Sequence, residues 1–287
     1  MNEAMTVPGT LYLSATPIGN LEDMTYRSVR ILGEAGLIAA EDTRHTRKLL
    51  AHYDIHTPLT SYHEHNKLTK GPELIDYLLR GENLVCVSDA GLPGIADPGS
   101  HLAGLAIAAG IRVSPLPGAN AALSALICSG LDTTVFTFVG FLPRTAKKRR
   151  DILQNVKEHA ETLIFYEAPH HLQATLSELA AALGDDRPAA VGRELTKKFE
   201  EFRRGTLAEL RDYYSVQEPR GEFVLVVAGN DGSHEPATDE LSGLGPVELV
   251  AHFMAAGQDR KTAMREAAQR LGISRRDVYQ ACLSNGN

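Results

Sequence analysis

The sequence predicts an α/β protein built from two lobes and a small helical tail. From Thr10 onward, short apolar runs alternate with helical patterns, which is typical of βαβ units and a largely parallel sheet. A second set of strands and helices follows Gly118, and a segment rich in Gly, Pro, Ser and acids then separates off the end of the chain. These features predict a first lobe at residues 10–117, a second lobe at 118–229, a linker at 230–245 and a tail at 246–287.

In the first lobe, the apolar runs TLYLSAT, GLIAAED and LVCVSD are the predicted strands. Apolar residues at helical spacing between these runs predict helices near residues 24–34, 43–52 and 67–80. Since strands and helices alternate, this sheet is expected to be largely parallel.

In the second lobe, the predicted strands are TVFTFVG, TLIFYE, AAVGREL, FEEFRRG and GEFVLVVAG. Helices are expected near residues 119–128, 145–159 and 171–183. The later strands lie closer together and carry polar residues between apolar ones. This half is therefore expected to be more mixed or antiparallel than the first.

The tail carries three helical patterns. Asp259 and Ser274 are its expected N-caps, and Gly257 and Gly272 are its expected helix ends. Residues 246–287 contain six Lys or Arg and four acidic residues, a balance of +2 on an acidic chain. The three helical patterns resemble a helix-turn-helix, but a packing or dimerisation element would have the same patterns. Both interpretations stay open.

Bulk composition narrows the class of protein. No run approaches about 18 consecutive apolar residues and the N-terminus is too polar for a signal sequence, so we expect a cytoplasmic protein without a membrane partner. The three cysteines lie far apart, without the spacing of a disulfide framework or a zinc site. The net charge of −7 argues against non-specific nucleic-acid binding, which depends on phosphate neutralisation. Any contact with RNA must come from local basic patches.

The most informative single segment is SDAGLPGIADPG at residues 88–99, which directly follows a predicted strand. Its glycines allow close approach of the backbone to a ligand, and its prolines make the loop rigid. Ligands of α/β sheets lie at the carboxyl ends of strands, where this loop begins. A ligand-binding loop is therefore predicted, while an ordinary tight turn is the alternative and Asp97 is expected to cap the next helix. The chain lacks the GxGxxG, GxxxxGK[ST], GxSxG and HExxH motifs.

Further motifs occur in order along the chain. They are TPIGNLED (16–23), AEDTRHTRKLL (40–50), SYHEHN (61–66), SDAGLPGIADPG (88–99), PLPGANAAL (115–123), YEAPHHL (166–172) and RELTKKFEE (193–201). In this order they resemble the ribosomal RNA small subunit methyltransferase I family of the tetrapyrrole methylase superfamily. The resemblance covers about residues 10–230.

The resemblance implies a two-lobed class III (tetrapyrrole methylase-like) methyltransferase. It implies that S-adenosyl-L-methionine, the methyl donor, binds in the cleft between the lobes, that the chain forms a homodimer and that no metal is needed. The implied reaction is 2′-O-methylation of a cytidine ribose in the decoding centre of 16S ribosomal RNA, within the small ribosomal subunit.

The resemblance also assigns donor-binding positions. They are Pro17, Asp89, Gly91, Leu92, Gly94, Pro117, Gly118, Ala119, Asn120, Tyr166 and Glu194. Leu92 stands where family members often have Thr, so contact through its backbone is expected there instead of contact through a hydroxyl.

Methyl transfer to a ribose hydroxyl requires alignment of the reacting atoms and is assisted by removal of the hydroxyl proton. The candidate catalytic residues are Asp42, Glu41 and Glu167, polar groups at or just after strand patterns. Asp42 is the first choice, and the alternative is that it caps the following helix. His63 and His65 are further candidates, and as alternate residues of one strand they would share a face, but no third metal ligand is identified.

Basic residues suggest where RNA binds. A dense run follows Phe141-Leu142-Pro143, and with the resemblance it favours contact with RNA phosphates over a solvated helix face. The predicted RNA-binding residues are Arg44, Arg144, Lys147, Lys148, Arg149, Lys197 and Lys198.

Two other functions remain open at this level. One keeps the fold and donor but uses a small acceptor such as a tetrapyrrole, and the other is a non-catalytic RNA-binding or ribosome-assembly module. The basic run and the TPIGNLED and AEDTR motifs speak against the tetrapyrrole acceptor.

Overall fold

The computed structural model of the protein describes residues 7–95, 97–232 and 244–284. The chain forms two compact units, Met1–Asp231 and Gly232–Asn287. Within its described residues, the first unit contains two five-stranded sheets and the second contains three helices.

The first sheet is parallel throughout, as the sequence predicts, and its strand order is β3-β2-β4-β1-β5. The strands are β1 (Thr10–Ser14), β2 (Leu37–Ala40), β3 (Leu59–Ser61), β4 (Leu84–Val87) and β5 (Arg112–Leu116). The sequence patterns did not indicate β3 or β5. Strand β5 contains Pro115, which is tolerated because this strand lies at the edge of the sheet.

Helices cover both faces of this sheet and form two apolar clusters with it. They are α1 (Tyr26–Glu34), α2 (Thr43–His52), α3 (Lys67–Leu79) and α4 (Gly99–Ala108). A short 3₁₀ turn, Leu21–Asp23, precedes α1. Because the strands are parallel, the loops that follow β1, β2, β4 and β5 all lie at the same end of the sheet, where the carboxyl ends of the strands meet.

The second sheet is mixed, which confirms the expectation for this half. Its strand order is β6-β7-β10-β8-β9, and only the β6–β7 pair is parallel. The strands are β6 (Phe136–Phe141), β7 (Thr162–Glu167), β8 (Pro188–Arg193), β9 (Glu201–Thr206) and β10 (Phe223–Val227). The helices are α5 (Ala121–Ser129), α6 (Ala146–Val156), α7 (Leu172–Leu183) and α8 (Leu207–Val216).

Each face of the second sheet has its own apolar cluster. One cluster packs α6, α7 and α8 against the sheet. The other packs α5 against Ile164, Val224 and Val226, and it includes Ile18 from the loop after β1. This cluster therefore joins the loop after β1 to the second sheet.

The second unit consists of α9 (Pro246–Ala255), α10 (Arg260–Leu271) and α11 (Arg275–Ser284), which share a small apolar core. The carboxylate of Asp259 accepts hydrogen bonds from the N–H groups of Lys261 and Thr262, as expected of an N-cap. Gly272 ends α10 with φ 66°, in the left-handed region. The expected caps of the tail are thus present.

Most of the predicted linker lies outside the described residues, because 233–243 are not among them. The predicted limits of the lobes, linker and tail stay predictions. None of the helices in the described ranges is both long and apolar enough to cross a membrane.

Candidate functional site

A cavity of about 560 Å³ lies where the ends of the two sheets meet. Its first wall comes from the loops that follow β1, β2 and β4. Its second wall comes from the carboxyl ends of β6 and β7, the start of β10 and the loop after β8. The lining residues are Ile18, Glu41, Ser88–Leu92, Ile95, Asp97, Asn120, Ala121, Phe141, Tyr166–Pro169, Leu195 and Glu222–Val224.

The loops of the first wall are fastened to each other by backbone hydrogen bonds. The N–H of Thr16 donates to the carbonyl of Gly91 at 2.9 Å, and the N–H of Gly91 donates back at 3.1 Å. The hydroxyl of Ser88 also donates to the Gly91 carbonyl, at 3.0 Å. Gly91 has φ +79°, which favours glycine. This part of the wall is therefore a braced loop, as the pattern of glycines and prolines predicts.

Asp97 closes the second half of that loop. Its carboxylate accepts hydrogen bonds from the N–H of Gly94 at 2.8 Å and from the N–H of Gly99, the first residue of α4, at 2.7 Å. Asp97 thus caps the helix as expected, although Pro98 holds the N-cap position itself. Ala96 lies outside the described residues.

Three carboxylates of the first wall lie close together without a basic partner. Burial and the charges of Asp89 and Asp97 raise the pKa of Glu41. Burial also raises the pKa of Asp97, against hydrogen bonds from Gly94 and Gly99 that lower it. Among the described residues that line the cavity, none is Lys, Arg or His. This wall is suited to a ligand with positive charge.

The second wall is aromatic and apolar. The Tyr166 ring packs edge-on against Phe138 and Phe141, with centroid distances of 5.0 and 5.5 Å. Glu167 is buried here, and its carboxylate accepts hydrogen bonds from the Thr175 hydroxyl at 2.5 Å and the Ala168 N–H at 2.8 Å. The Glu167 carboxylate is therefore held in place by donors of its own lobe.

The loop after β8 carries backbone strain next to the cavity. Glu194 and Thr196 have φ of 49° and 66°, which non-glycine residues rarely adopt. Between these two residues, Leu195 lines the cavity. Lys197 fixes the loop, because its Nζ lies 2.9 Å from Oε1 of Glu194 and 2.7 Å from Oε2 of Glu222.

The structure brings only part of the predicted donor site to the cavity surface. Asp89, Gly91, Leu92, Asn120 and Tyr166 line the cavity. Pro17, Gly94, Ala119 and Glu194 are next to lining residues in the sequence, and Pro117 and Gly118 lie three and two positions before Asn120, but none of the six lines the cavity. All eleven stay predictions as donor contacts.

Two of the candidate catalytic carboxylates, Glu41 and Glu167, line the cavity, but Asp42 does not. The Asp42 side chain caps α2 by accepting from the N–H of Arg44, and it also pairs with the Arg44 guanidinium at 2.8 Å. These hydrogen bonds hold the pKa of Asp42 well below its usual range. Asp42 is therefore the N-cap of α2, as the alternative interpretation of this residue predicts.

The interpretation of His63 and His65 as neighbours on one strand is wrong. Strand β3 ends at Ser61, and the two histidines lie in the turn before α3. Their rings are 6.0 Å apart. Among the described residues, no group of three or more His, Cys, Asp or Glu is arranged to hold a metal ion.

The predicted RNA-binding residues fall into two groups. Arg144, Lys147, Lys148 and Lys198 are exposed, and Arg44 is exposed as well, although its guanidinium pairs with Asp42. Arg149 is partly buried in an ion pair with Glu178 at 2.6 Å, and Lys197 is held between Glu194 and Glu222. The second group is thus engaged within the protein.

Sequence patterns missed several lining residues of the second wall. Glu222 and Phe223 reach the cavity because β10 pairs antiparallel with β7, which sets Phe223 opposite Glu167. Strand order was needed to find them. Phe141 precedes the basic run in the sequence, and its position at the end of a strand was the available signal for a role at the cavity.

Comparisons with known proteins give the family. Residues 10–211 match the model of the Tetrapyrrole (Corrin/Porphyrin) Methylases. A protein of Halalkalibacterium halodurans called "Ribosomal RNA small subunit methyltransferase I" is 52% identical over 94% of this chain and 93% of its own length. The chain belongs to the ribosomal RNA small subunit methyltransferase I family.

Other members of this family match over similar lengths. The proteins of that name from Bacillus subtilis and Synechocystis sp. are 48% and 47% identical, over 95% and 96% of this chain and 94% and 98% of their own lengths. Identity at this level along almost the whole chain confirms the resemblance drawn from the motifs.

Solved structures of other proteins are similar in fold to this chain. Uroporphyrin-III-C-methyltransferase from Thermus thermophilus matches 77% of this chain and 94% of its own, with a TM-score of 0.55 and 22% identity. A diphthine synthase matches 77% and 90%, with a TM-score of 0.58 and 14% identity. At these identities the likeness shows the tetrapyrrole methylase-like α/β fold.

Proposed function

We propose that the protein transfers a methyl group from S-adenosyl-L-methionine to the ribose 2′-hydroxyl of a cytidine in the decoding centre of 16S ribosomal RNA. The relatives that carry the name ribosomal RNA small subunit methyltransferase I match nearly their full length, which supports RNA of the small subunit as the acceptor. The geometric observation that carries the proposal is the cavity between the two sheets, with an unpaired acidic wall facing an aromatic one.

The chemistry of the cavity fits the proposed donor. S-adenosyl-L-methionine supplies a methyl group on a positively charged sulfonium, and it also carries apolar and aromatic parts. Glu41, Asp89 and Asp97 offer negative charge with no basic residue among the described lining residues. Leu195, Phe223 and Val224 offer apolar surface on the other wall. Five of the eleven donor-binding residues inferred from the resemblance line this cavity, which supports the proposal.

Within this proposal the main task of the protein is positioning. Alignment of reacting groups supplies about 7–11 kcal/mol in favourable cases. The braced loop at Thr16 and Gly91 and the strained loop held by Lys197 provide a rigid frame for it.

A carboxylate assists by orienting the ribose hydroxyl and accepting its proton. Glu41 is the better placed of the candidates, because it lines the cavity and its pKa is raised. Glu167 is committed to Thr175 and Ala168, and Asp42 is committed to Arg44 and the start of α2. Glu41 therefore replaces Asp42 as the first candidate.

Acceptor binding is assigned to the basic surface at the start of α6. Arg144, Lys147, Lys148 and Arg150 are exposed, and none is in an ion pair with another described residue. Exposed cations of this kind contact phosphates and position RNA without reading its sequence. Lys197, in contrast, is assigned to the cavity frame.

Three further features belong to the proposal. The protein acts as a homodimer, it uses the assembled small ribosomal subunit as acceptor, and it works in the cytoplasm where such subunits form. The relatives' name supports the acceptor, and the family resemblance supports the other two.

The test is methyl transfer with a labelled donor. Small ribosomal subunits from a strain without this gene serve as acceptor, and naked 16S RNA, a tetrapyrrole and donor alone serve as comparisons. We expect label in 2′-O-methylcytidine of 16S RNA from the subunits. Donor binding at saturation without any 2′-O-methylcytidine contradicts the RNA assignment, and transfer to the tetrapyrrole supports the small-acceptor alternative.

A further inference from the structure

Phe141 is a large apolar side chain that is left exposed at the cavity. It lies at the end of β6, its side chain is 58% exposed, and it is one of the lining residues. Its ring contacts that of Tyr166 in a T-shaped arrangement, with the centroids 5.5 Å apart. An aromatic ring that is held by a neighbour and is still more than half exposed is suited to stacking with a second planar group.

A bulge in β6 gives Phe141 this orientation. Residues three positions apart in a regular strand point to opposite faces of the sheet. Phe138 and Phe141 nevertheless both contact the ring of Tyr166. The register shifts between Phe138 and Gly140, and Gly140 has φ +73°, a conformation that favours glycine. Bulges of this kind re-aim side chains next to functional sites.

We propose that Phe141 is the platform on which the nucleobase of the acceptor nucleotide stacks while its ribose lies in the cavity. This inference rests on the proposed function and adds a substrate-binding residue to it. Proteins that recognise unpaired RNA bases hold them by stacking on aromatic side chains, and every nucleobase presents a planar face for this purpose.

The position of Phe141 along the chain supports an RNA base as the occupant. The exposed basic run begins three residues later, at Arg144, and continues into α6. A nucleotide whose phosphate is held by this run is therefore close to the aromatic wall. The unpaired carboxylates that suit the cationic donor lie on the opposite wall, in the loops of the first sheet. The positive charge of the donor and the base of the acceptor thus have separate surfaces.

The absence of tryptophan from this sequence allows a direct test. In Phe141→Trp the only tryptophan is at the proposed platform, and its fluorescence reports base stacking. Phe136→Trp is the matched control, because Phe136 is also exposed on β6 but does not line the cavity. An oligocytidine RNA is titrated into each variant with S-adenosylhomocysteine at saturation. We expect quenching by the RNA in Phe141→Trp and none in Phe136→Trp.

Kinetics with small ribosomal subunits provide the second measurement. We expect Phe141→Ala to lower kcat/KM for subunits by about 5- to 150-fold, the range that loss of one base–aromatic stack produces. Phe141→Tyr should restore most of this loss and Phe141→Leu should not. The donor Kd should stay unchanged in all three variants.

The outcomes separate this inference from the proposed function. Equal kcat/KM for Phe141→Ala and Phe136→Ala, with wild type active on subunits, overturns the platform and leaves the function intact. A donor Kd that rises as much as kcat/KM falls also overturns it, because Phe141 then belongs to the donor site. Quenching by S-adenosylhomocysteine, with no further change on adding RNA, leads to the same conclusion. Absence of RNA methylation by wild type contradicts the proposed function itself.

Discussion

The two walls of the cavity hold negative charge in different ways. On the first wall, Glu41, Asp89 and Asp97 face one another, and Glu41 and Asp97 have raised pKa values. On the second wall, the Glu167 carboxylate accepts hydrogen bonds from Thr175 and Ala168, and Glu222 is paired with Lys197. Among the described residues that line the cavity, the carboxylates with raised pKa values therefore lie in the loops of the parallel sheet.

This difference between the two walls indicates where each ligand binds. Acidic groups that lie close together without basic partners cost free energy in the folded protein. Such clusters are typical of functional sites, where a ligand supplies the positive charge. The first wall therefore suits the cationic donor. The second wall has aromatic surface and leads to the basic run on α6, which suits the RNA acceptor.

The largest expected effect concerns Glu41. We expect Glu41→Gln to lower kcat by about 10²- to 10⁴-fold, the contribution typical of a positioned proton acceptor. Activity of wild type should rise with pH through the raised pKa of Glu41, above its ordinary value of 4.5, and this limb should disappear in the variant. Asp42→Asn is the matched control, since Asp42 lies next in the chain but outside the cavity, and its kcat should match wild type.

Stability gives an independent check on the same group. Because the folded-state pKa of Glu41 is raised, its contribution to stability is fully present below its unfolded pKa and is lost as the pH rises through the folded pKa. We therefore expect Glu41→Gln to gain stability relative to wild type as the pH rises, in urea unfolding at several pH values. An equal difference at every pH contradicts the raised pKa.

The next effect concerns Asp89 on the same wall. Its carboxylate accepts a hydrogen bond from the N–H of Asp42 at 2.9 Å and faces the cavity. We expect Asp89→Ala to raise the donor Kd by about 10- to 100-fold, as for loss of a hydrogen-bonded charge. Asp89→Asn retains an acceptor for the Asp42 N–H and removes only the charge. Calorimetry that finds wild-type affinity in both variants moves the donor away from this wall.

A change on the RNA side should leave the donor untouched. We expect the triple substitution Lys147→Ala, Lys148→Ala and Arg150→Ala to weaken binding of small subunits and to reduce the slope of log K against log salt by about 0.7–0.9 for each lost phosphate contact. The control is Lys157→Ala, which removes a charge just beyond the end of α6. An unchanged salt slope in binding assays removes this segment from the acceptor site.

The smallest effect is expected at Lys197, which joins Glu194 to Glu222. Its aliphatic part also lies against the loop after β1, where a Cβ on Gly19 would come within 2.3 Å of its Cγ. We expect Lys197→Met to raise the donor Kd about three- to tenfold, because partly exposed ion pairs contribute about 1 kcal/mol or less. Lys197→Arg should retain wild-type affinity, and RNA affinity should not change in either variant.

The stability that Glu194 gains from its contacts with Lys197 and Glu222 depends on pH in one direction. Burial raises the pKa of Glu194, but hydrogen bonds from Lys197 and Glu222 and the nearby charges lower it further, so the net change is downward. Its stabilisation is therefore present above the unfolded pKa and is lost as the pH falls through the folded pKa. The stability difference between wild type and Lys197→Met should shrink in acid, and a difference that grows there contradicts this assignment.

The sequence predicted most of the elements, but not how they are arranged. Apolar periodicity placed α2 at Thr43–His52 and β7 at Thr162–Glu167. It did not give the extent of α4, whose apolar residues are spread around the helix, and it missed β5, which contains a proline. Local patterns report burial and turn chemistry, and these two elements lack a clear pattern.

For the site, the sequence indicated loops better than side-chain roles. The Gly/Pro-rich segment at 88–99 correctly predicted a braced loop at the cavity. Asp42 was preferred over Glu41 because it follows the strand pattern directly beside Thr43 and Arg44, but such a pattern does not give the directions of adjacent side chains at a strand end. Lys197 was expected to face RNA, since its partner Glu222 is distant in sequence and is brought near by the antiparallel pairing of β8 and β10.

A crystal structure with S-adenosylhomocysteine bound tests the division of the cavity most directly. We predict that its sulfur and amino group lie toward Glu41, Asp89 and Asp97, and that the exposed surface of the Phe141 ring stays free of the ligand. An adenine ring stacked on Phe141, or a ligand bound outside the cavity, would contradict the assignment of the charged part of the donor to the first wall and of the acceptor base to Phe141.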